Sequence, residues 1–333
     1  MEIEHFVPSW STHMHNTRRE FLRLAGSAAF IAAAAPHALA RAPFAGAIQP
    51  SYRLKLGDLE VTALADGYLD VEQKLYTTAD KAEMSKLLSN AFRDASAPIR
   101  TAVNAFVVNT GEKLILIDCG TIQGFGPTLA KLPERLEAQG FSPEQFDAVL
   151  LTHMHPDHVG AATNSDGAAR FAKAELIIAE TEWKFWSDDG NASRAPKDIQ
   201  PFFKIATDAA KPYHKSLRLF GKDEEVMQGI TSVALPGHTP GHTGFIIASG
   251  KESLLVWGDI VHSAALQFAH PEWAIAFDVD QTQAIATRKA IFDRAAAEKL
   301  LVAGMHIDFP GFGHVVQASP AYGFTPAFWR LDQ

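Results

Sequence analysis

Short apolar runs alternate with longer amphipathic segments along the chain after residue 50. The runs are rich in Val, Ile and Leu and are bounded by Gly, Pro or Asp, which is typical of β-strands. We predict strands at Tyr52–Leu56, Val61–Asp66, Ala102–Val108, Leu114–Ile117, Ala148–Leu151, Leu176–Ile178, Ile230–Leu235, Phe245–Ala248, Leu254–Trp257 and Leu300–Ala303.

The amphipathic segments between these runs have the spacing of helices. We predict helices at Asp80–Ala91, at about Pro127–Gln139 with an end near Gly140, and at Gln281–Lys299. Residues 181–220 also read as largely helical, interrupted by three prolines. Two β-rich halves, each followed by helices, predict an α/β protein in which two sheets lie between two helical layers, a four-layer αβ/βα sandwich in a single domain.

The first 40 residues have the order of a secretory signal. Arg18 and Arg19 precede an apolar run from Leu24 to Ala35, and the small residues Ala38-Leu39-Ala40 follow. The Arg-Arg pair before Phe-Leu resembles a twin-arginine export signal. We therefore expect residues 1–40 to be a cleaved signal, residues 41–333 to be the folded domain, and the protein to be periplasmic or secreted. The alternative is a chance basic start before an Ala-rich helix.

Composition limits the classes of function and the types of metal ligand that are open to this chain. Of the 333 residues, 47% are hydrophobic and 20% charged, with a net charge of −8. Without a Lys/Arg cluster, an acidic chain is a poor candidate for nucleic-acid binding. The apolar run near the N-terminus is too short for a stable membrane anchor. The single cysteine, Cys119, excludes an intrachain disulfide and reads as a buried structural thiol, so any metal must be held by His and carboxylates.

One short motif concentrates such ligands. His153, His155, Asp157 and His158 fall within six positions, just after a predicted buried strand. In an extended segment alternate side chains point the same way, so His153 and His155 can bind one ion together. Pro156 redirects the chain, so Asp157 and His158 can reach a second ion. Imidazole and carboxylate ligands suit Zn²⁺, and also Mn²⁺, Fe²⁺ or Co²⁺.

Three further candidate ligands follow later strands. They are His238 in Pro236-Gly237-His238-Thr239-Pro240-Gly241-His242, Asp259 after Gly258, and His306 after Gly304-Met305. Loops at strand ends are where sites are usually built.

The series H-x-H-x-D-H, His, Asp, His resembles the ligand series of the metallo-β-lactamase superfamily. The resemblance implies that His153, His155 and His238 hold one metal, that Asp157, His158 and His306 hold a second, and that Asp259 bridges them. It also implies that Asp118 supports the metal loop from behind and that His242 is structural.

Further segments resemble one branch of that superfamily, the methyl parathion hydrolases and related lactonases, over nearly all of residues 50–330. The segments are Leu56-Gly57-Asp58, Ala63–Gly67, Phe125–Leu129, Thr152–Gly160 and Phe309–His314. The branch implies a homodimer and a substrate pocket whose entrance is lined by Phe125, Trp186 and Phe202. Core packing would also explain these aromatic residues, but the flexible, proline-broken setting of Trp186 and Phe202 favours a pocket rim.

One departure from the branch bears on the substrate. Three positions after Asp259 the phosphotriesterases have an apolar residue, where this chain has His262; Ile275 and Phe277 also differ in size and shape. A bulkier pocket with an imidazole near the metals resembles the relatives that cleave lactones and aryl esters. The alternative is that His262 only packs on its loop.

The implied activity is a two-metal hydrolase in which a bridging hydroxide attacks a lactone or ester carbonyl, acyl-homoserine lactones included. Asp157 or His262 would carry the proton to the leaving oxygen. Promiscuous phosphotriesterase activity is expected because that reaction develops similar charge. Two alternatives stay open at this point: an organophosphate phosphotriesterase, and a periplasmic metal-binding protein without activity.

Overall fold

The computed structural model describes residues 50–328, so the predicted export signal at residues 1–40 lies outside the described range. Within the range, two seven-stranded sheets are formed by consecutive halves of the chain. The first contains β1 (Ser51–Leu56), β2 (Leu59–Val71), β3 (Ile99–Asn109), β4 (Leu114–Ile117), β5 (Ala148–Leu150), β6 (Glu175–Ala179) and β7 (Leu217–Phe220), in that spatial order.

The second sheet has the opposite spatial order, from its last strand to its first. Its strands are β8 (Glu225–Met227), β9 (Ile230–Ala234), β10 (Thr243–Ser249), β11 (Glu252–Val256), β12 (Leu301–Ala303), β13 (Phe312–Ala318) and β14 (Ala321–Pro326). Strands β4 to β7 run parallel, as do β11 and β12, while the other neighbouring pairs are antiparallel.

Eight helices accompany the sheets in the described residues. They are α1 (Lys81–Asn90), α2 (Leu132–Ala138), α3 (Pro156–Val159), α4 (Glu180–Trp186), α5 (Asp189–Arg194), α6 (Gln200–Ala210), α7 (Ala264–Gln267) and α8 (Gln281–Ala297). The starts of α1 and α8 follow from capping, because the side chains of Asp80 and Asp280 accept hydrogen bonds from Glu83 N and Gln283 N. No helix among these residues has the length and apolar character needed to cross a membrane.

Strand periodicity explains the layers. On β4, Ile115 and Ile117 pack with Phe245 of the second sheet, and Leu116 on the opposite face packs with helical residues such as Phe203. On β11, Leu255 faces α8, where it packs in the cluster that contains Phe292. The predicted four-layer αβ/βα sandwich is therefore confirmed.

Two predicted elements differ from the structure. Helix α2 begins at Leu132 rather than near Pro127, because Ala130 takes a positive φ and Asp66 accepts hydrogen bonds from Ala130 N and Leu132 N, which holds the preceding segment as a turn. The end of the segment predicted as helical, Leu217–Phe220, is strand β7, paired parallel with β6.

Sequence patterning also missed three strands, β8, β13 and β14. They lie at or next to the far edges of the second sheet, where exposed residues interrupt the apolar signal.

Candidate metal centre

Four loops meet at one edge of the sandwich. They follow β5, β9, β11 and β12, and they carry His153 to His158, His238, Asp259 and His306 respectively. Pro156 opens the short helix α3, directly after His155 in extended conformation. Because the backbone turns there, Asp157 and His158 face a different direction from His153 and His155, as the sequence predicts.

The structure brings all seven predicted ligands into two adjoining groups. We call His153, His155 and His238 the first ligand group, and Asp157, His158 and His306 the second. Within each group the possible ligand atoms lie within 4.8 Å of one another, and Asp259 belongs with the first.

The carboxylate of Asp259 reaches both groups. Its Oδ2 lies 3.2 Å from His238 Nε2 and 3.0 Å from His306 Nε2, and its Oδ1 lies 3.3 Å from His158 Nε2. A carboxylate in this place can join two cations.

Unpaired buried atoms show that this site fits metal ions. Nδ1 of His155 lies 2.9 Å from Nε2 of both His153 and His238, so the nitrogens of three rings converge. His158 Nε2 and Asp259 Oδ1 are buried without a hydrogen-bond partner. Most buried polar atoms in proteins are hydrogen-bonded, so the unpaired atoms here, together with the converging imidazoles, fit two divalent cations bound by imidazole and carboxylate.

The two groups differ electrostatically. Burial, helped by the neighbouring imidazoles, holds the pKa of His153 and of His155 well below the ordinary value. Burial acts in the same direction on His158, but Asp259, Asp157 and Asp118 overcome it and raise its pKa well above the ordinary value. In the first group, Asp259 and Asp278 outweigh burial only at His238, where they raise the pKa to about 9, so the two groups differ in degree.

The outer nitrogens of the imidazoles are held by neighbouring acceptors. His158 Nδ1 lies 2.7 Å from Asp118 Oδ2, His238 Nδ1 lies 2.9 Å from Asp278 Oδ1, and His306 Nδ1 lies 2.7 Å from the Ala102 carbonyl oxygen. Such contacts select the tautomer and orient the ring toward a metal. Asp118 stands where the sequence predicts a supporting residue, and it also accepts hydrogen bonds from Thr152 N and Oγ1.

His242 has no nitrogen free for a metal. Its Nδ1 donates to the Leu235 carbonyl oxygen at 2.8 Å, and its Nε2 accepts a hydrogen bond from Asp259 N at 2.9 Å. Burial and the nearby His238 lower the pKa of His242 to about 3, so the ring is neutral. This geometry agrees with the predicted structural role.

The predicted structural thiol is also buried. The thiol of Cys119 contacts the carbonyl oxygen of His158, 3.2 Å away. Burial raises its pKa, so the thiol stays protonated and packs behind the metal loop.

A cavity of about 500 Å³ opens onto the ligands. Five of the six predicted pocket residues line it: Phe125, Trp186, Phe202, His262 and Phe277. Its remaining walls are mostly apolar, from residues that include Leu69, Val71, Leu75, Phe185, Ile199 and Phe203. The cavity suits a ligand with a polar group at the metals and an apolar body.

Two of the pocket predictions need correction. Ile275 does not line the cavity; it is fully buried in a separate cluster with Tyr76 and Leu266, because its side chain points into the core behind the loop. Trp186 is a buried wall rather than part of a flexible rim, since it lies on α4 with 1% of its surface exposed.

The imidazole of His262 is buried beside the ligands. It stacks on His306 with ring centroids 5.0 Å apart, and its Nε2 lies 3.4 Å from Asp259 Oδ2. Neither ring nitrogen has a hydrogen-bond partner. Because burial lowers the pKa of His262 to about 4, the ring is neutral and offers one N–H donor toward the cavity.

Sequence reasoning missed three residues around the site: Glu182, Asp278 and Arg288. Arg288 is buried and donates to the Ile260 carbonyl oxygen, next to Asp259, and its Nη2 lies 3.7 Å from Asp278 Oδ2. All three lie on helices or loops far from the ligand motifs in sequence, so no local spacing could have identified them.

Comparisons with known proteins agree with this geometry. A family model described as the metallo-beta-lactamase superfamily matches residues 98–306, more than half of the chain. The crystal structure of AbOPH, a hydrolase in the beta lactamase superfamily, is 34% identical and has a TM-score of 0.82; the match covers 85% of this chain and 99% of that one. AidC, a dizinc quorum-quenching lactonase solved with a product, is 28% identical with a TM-score of 0.79 and the same coverage.

A curated relative gives a shorter match. The N-acyl homoserine lactonase AiiB of Agrobacterium fabrum is 29% identical over 149 residues, which are 42% of this chain and 49% of that protein. The match thus spans about half the length of this relative.

Proposed function

The chain belongs to the metallo-β-lactamase superfamily, and we propose that it is a two-metal hydrolase that opens lactones and cleaves aryl or carboxylic esters. The observation that carries this proposal is the joining of the two ligand groups to the largely apolar cavity of about 500 Å³. Similarity to a dizinc lactonase over 85% of the chain supports it.

Two bound divalent cations, with Zn²⁺ favoured and Mn²⁺, Fe²⁺ or Co²⁺ also suited to the ligands, would supply an activated water and polarise the substrate carbonyl. The first cation would be held by His153, His155 and His238, and the second by Asp157, His158 and His306. Asp259 would be a ligand of both.

Two residues at the ligands would transfer a proton and donate a hydrogen bond to the substrate. Asp157 lines the cavity, and its Oδ2 lies 3.5 Å from the Nε2 atoms of both His158 and His306, which outweigh burial and lower its pKa. Its ionised carboxylate would therefore accept a proton at the cavity and pass it to the leaving oxygen. The neutral ring of His262 would donate its N–H to an oxygen of the substrate. We therefore favour Asp157 over His262 as the proton carrier.

The aromatic walls would bind the non-reacting part of the substrate. Trp186, Phe202 and Phe277 face one cavity with several aliphatic residues, which favours an acyl chain or an aryl group over a charged one. An N-acyl homoserine lactone combines a small polar ring with such a chain, and it is our leading candidate substrate. We expect slower, promiscuous cleavage of phosphotriesters in the same cavity.

We make two further proposals, on the export of the protein and on its oligomeric state. Its first 40 residues would direct export by the twin-arginine route to the periplasm or beyond, which replacement of Arg18 and Arg19 by Lys would abolish. The folded domain would form a homodimer, which light scattering of the purified protein would test.

The deciding experiment is a substrate panel on enzyme of measured metal content. We expect the highest kcat/KM for acyl-homoserine lactones or aryl lactones, lower values for aryl esters, and the lowest for paraoxon-type triesters. Faster cleavage of triesters than of every lactone and ester would instead identify a phosphotriesterase. Full metal occupancy without turnover of any substrate would identify a binding protein.

A further inference from the structure

A buried carboxylate on α4, Glu182, accepts four hydrogen bonds. Its Oε1 accepts from Met154 N at 2.9 Å and from the Trp186 indole at 2.6 Å. Its Oε2 accepts from Thr239 Oγ1 at 2.6 Å and from Gly241 N at 3.0 Å. The side chain is fully buried, and all four donors are uncharged.

These donors come from the two loops that carry the first ligand group. Met154 lies between His153 and His155, while Thr239 and Gly241 closely follow His238. One carboxylate therefore joins two loops that are more than 80 residues apart in sequence. The backbones approach closely at this point, since a Cβ atom on Gly241 would lie 2.1 Å from Glu182 N.

The fourth donor links the carboxylate to the cavity wall. The Trp186 ring packs edge-on against His155 with centroids 5.3 Å apart, and the same ring lines the cavity. Glu182 thus holds both the backbone around His155 and the ring that packs against it. None of the four contacts involves a residue of the second ligand group.

We propose that Glu182 is a positioning residue that holds His153, His155 and His238 in the geometry of the first metal, with little effect on the second. The proposal rests on the proposed two-metal function. Glu182 is not a catalytic residue, because its side chain touches neither the cavity nor a predicted ligand side chain.

The Glu182→Gln variant tests this with minimal change in shape. A Gln side chain has one oxygen and one NH₂ group, so its NH₂ would face a pair of donors that includes a backbone N–H. At least one contact must then be lost. We call the metal site formed by the first ligand group the first position and that formed by the second group the second position. We expect the Zn²⁺ affinity of the first position to fall about 10- to 100-fold, as found when partners outside the ligand set are removed. The Zn²⁺ affinity of the second position should be nearly unchanged.

The measurement is a competition for Zn²⁺ between the metal-free full chain and a chromophoric chelator, resolved into two binding steps. Titration with Co²⁺ alone gives a second readout, because the visible absorption of the first bound ion reports its ligand geometry. We expect that spectrum to change in Glu182→Gln.

Asp66→Asn is the matched control. Asp66 is also a fully buried carboxylate, and it accepts hydrogen bonds from Thr121 N, Ala130 N and Leu132 N in a loop without predicted ligands. This variant should lower the thermal unfolding temperature without changing either Zn²⁺ affinity. Equal losses of affinity in both variants would reduce Glu182 to a general structural residue and overturn the proposal.

Two further outcomes complete the test. Wild-type Zn²⁺ affinities and an unchanged Co²⁺ spectrum in Glu182→Gln would also overturn it. If that variant does not fold, Thr239→Val removes a single contact to Oε2, and it must weaken the first position selectively. Because these readouts need no substrate, a wild-type protein that binds two ions but cleaves no ester would refute the proposed function and leave this inference standing.

Discussion

The two ligand groups lie in one pocket but are held by different forces. In the first group, burial keeps His153 and His155 neutral, and Glu182 ties their loop to that of His238 through uncharged donors. In the second, His158 lies among three carboxylates that raise its pKa. Charge also acts in the first group, since Asp259 and Asp278 raise the pKa of His238 to about 9, but it acts there on one imidazole only, so the first metal position depends more on geometry than the second.

Asp259 is where the two groups meet, so its replacement should have the largest effect. Asp259→Ala should lose tight binding of at least one ion and reduce kcat/KM about 1,000-fold or more, since metal activation contributes several kcal/mol. Metal analysis and kinetics on the best substrate would measure both. Activity that survives at the wild-type level would contradict the two-metal mechanism.

The Asp118→Asn variant should be the counterpart of Glu182→Gln. It keeps an acceptor beside His158 Nδ1, removes a negative charge and loses the hydrogen bond from Thr152 N, which would face the NH₂ group. Asn tolerates the positive φ of 55° at this position. We expect Zn²⁺ affinity to fall about 10- to 100-fold at the second position and much less at the first. The same chelator competition measures it. A loss of Zn²⁺ affinity confined to the first position would contradict our inference that charge matters more at the second position than at the first.

A change in the cavity wall should leave Zn²⁺ binding at both metal positions unchanged. Phe202→Ala removes a ring that lines the cavity and packs about 6 Å from Phe125. We expect KM for long-chain acyl lactones to rise about 10-fold, which corresponds to the loss of one to two kcal/mol of apolar contact, while Zn²⁺ content is unchanged. Short-chain lactones serve as the internal control. Equal effects on short and long chains would show that the acyl chain binds elsewhere.

The smallest effect concerns His242, whose ring packs against His153 and His238 of the first group. The folded pKa is about 3, below the ordinary value of 6.5, so the unfolded chain takes up a proton first as the pH falls. The stabilising contribution of the neutral ring is therefore complete above about pH 6.5 and is lost progressively below it. Between pH 6.5 and 5.5 the free energy of unfolding should fall by about 1 kcal/mol from this residue.

Urea denaturation of the metal-free protein measures that loss by difference. His242→Gln retains a donor and an acceptor but does not titrate, so its stability should fall less over the same pH interval. Parallel pH profiles for the two proteins would show that His242 does not respond to pH as its burial requires.

Much of the fold was predictable because the signals are local. Uninterrupted apolar runs in β4 and β5 identify strands buried on both faces, and Asp80 and Asp280 mark helix starts by capping. The failures occurred where a distant residue overrides local preference. Asp66 holds the residues before α2 in a turn, and pairing with β6 makes Leu217–Phe220 a strand.

The sequence by itself identified the candidate ligands: the motif from His153 to His158 by its spacing after a predicted strand, and the full set of seven by its resemblance to a known ligand series. It also identified Asp118 and the aromatic residues of the cavity by resemblance. Only the tertiary structure decided what stands behind the ligands: Glu182 between two loops, Asp278 on His238, Arg288 beside Asp259, and Ile275 turned into the core. These roles depend on contacts between residues distant in sequence, and a hydrogen bond that closes such a contact leaves no periodicity or spacing in the chain.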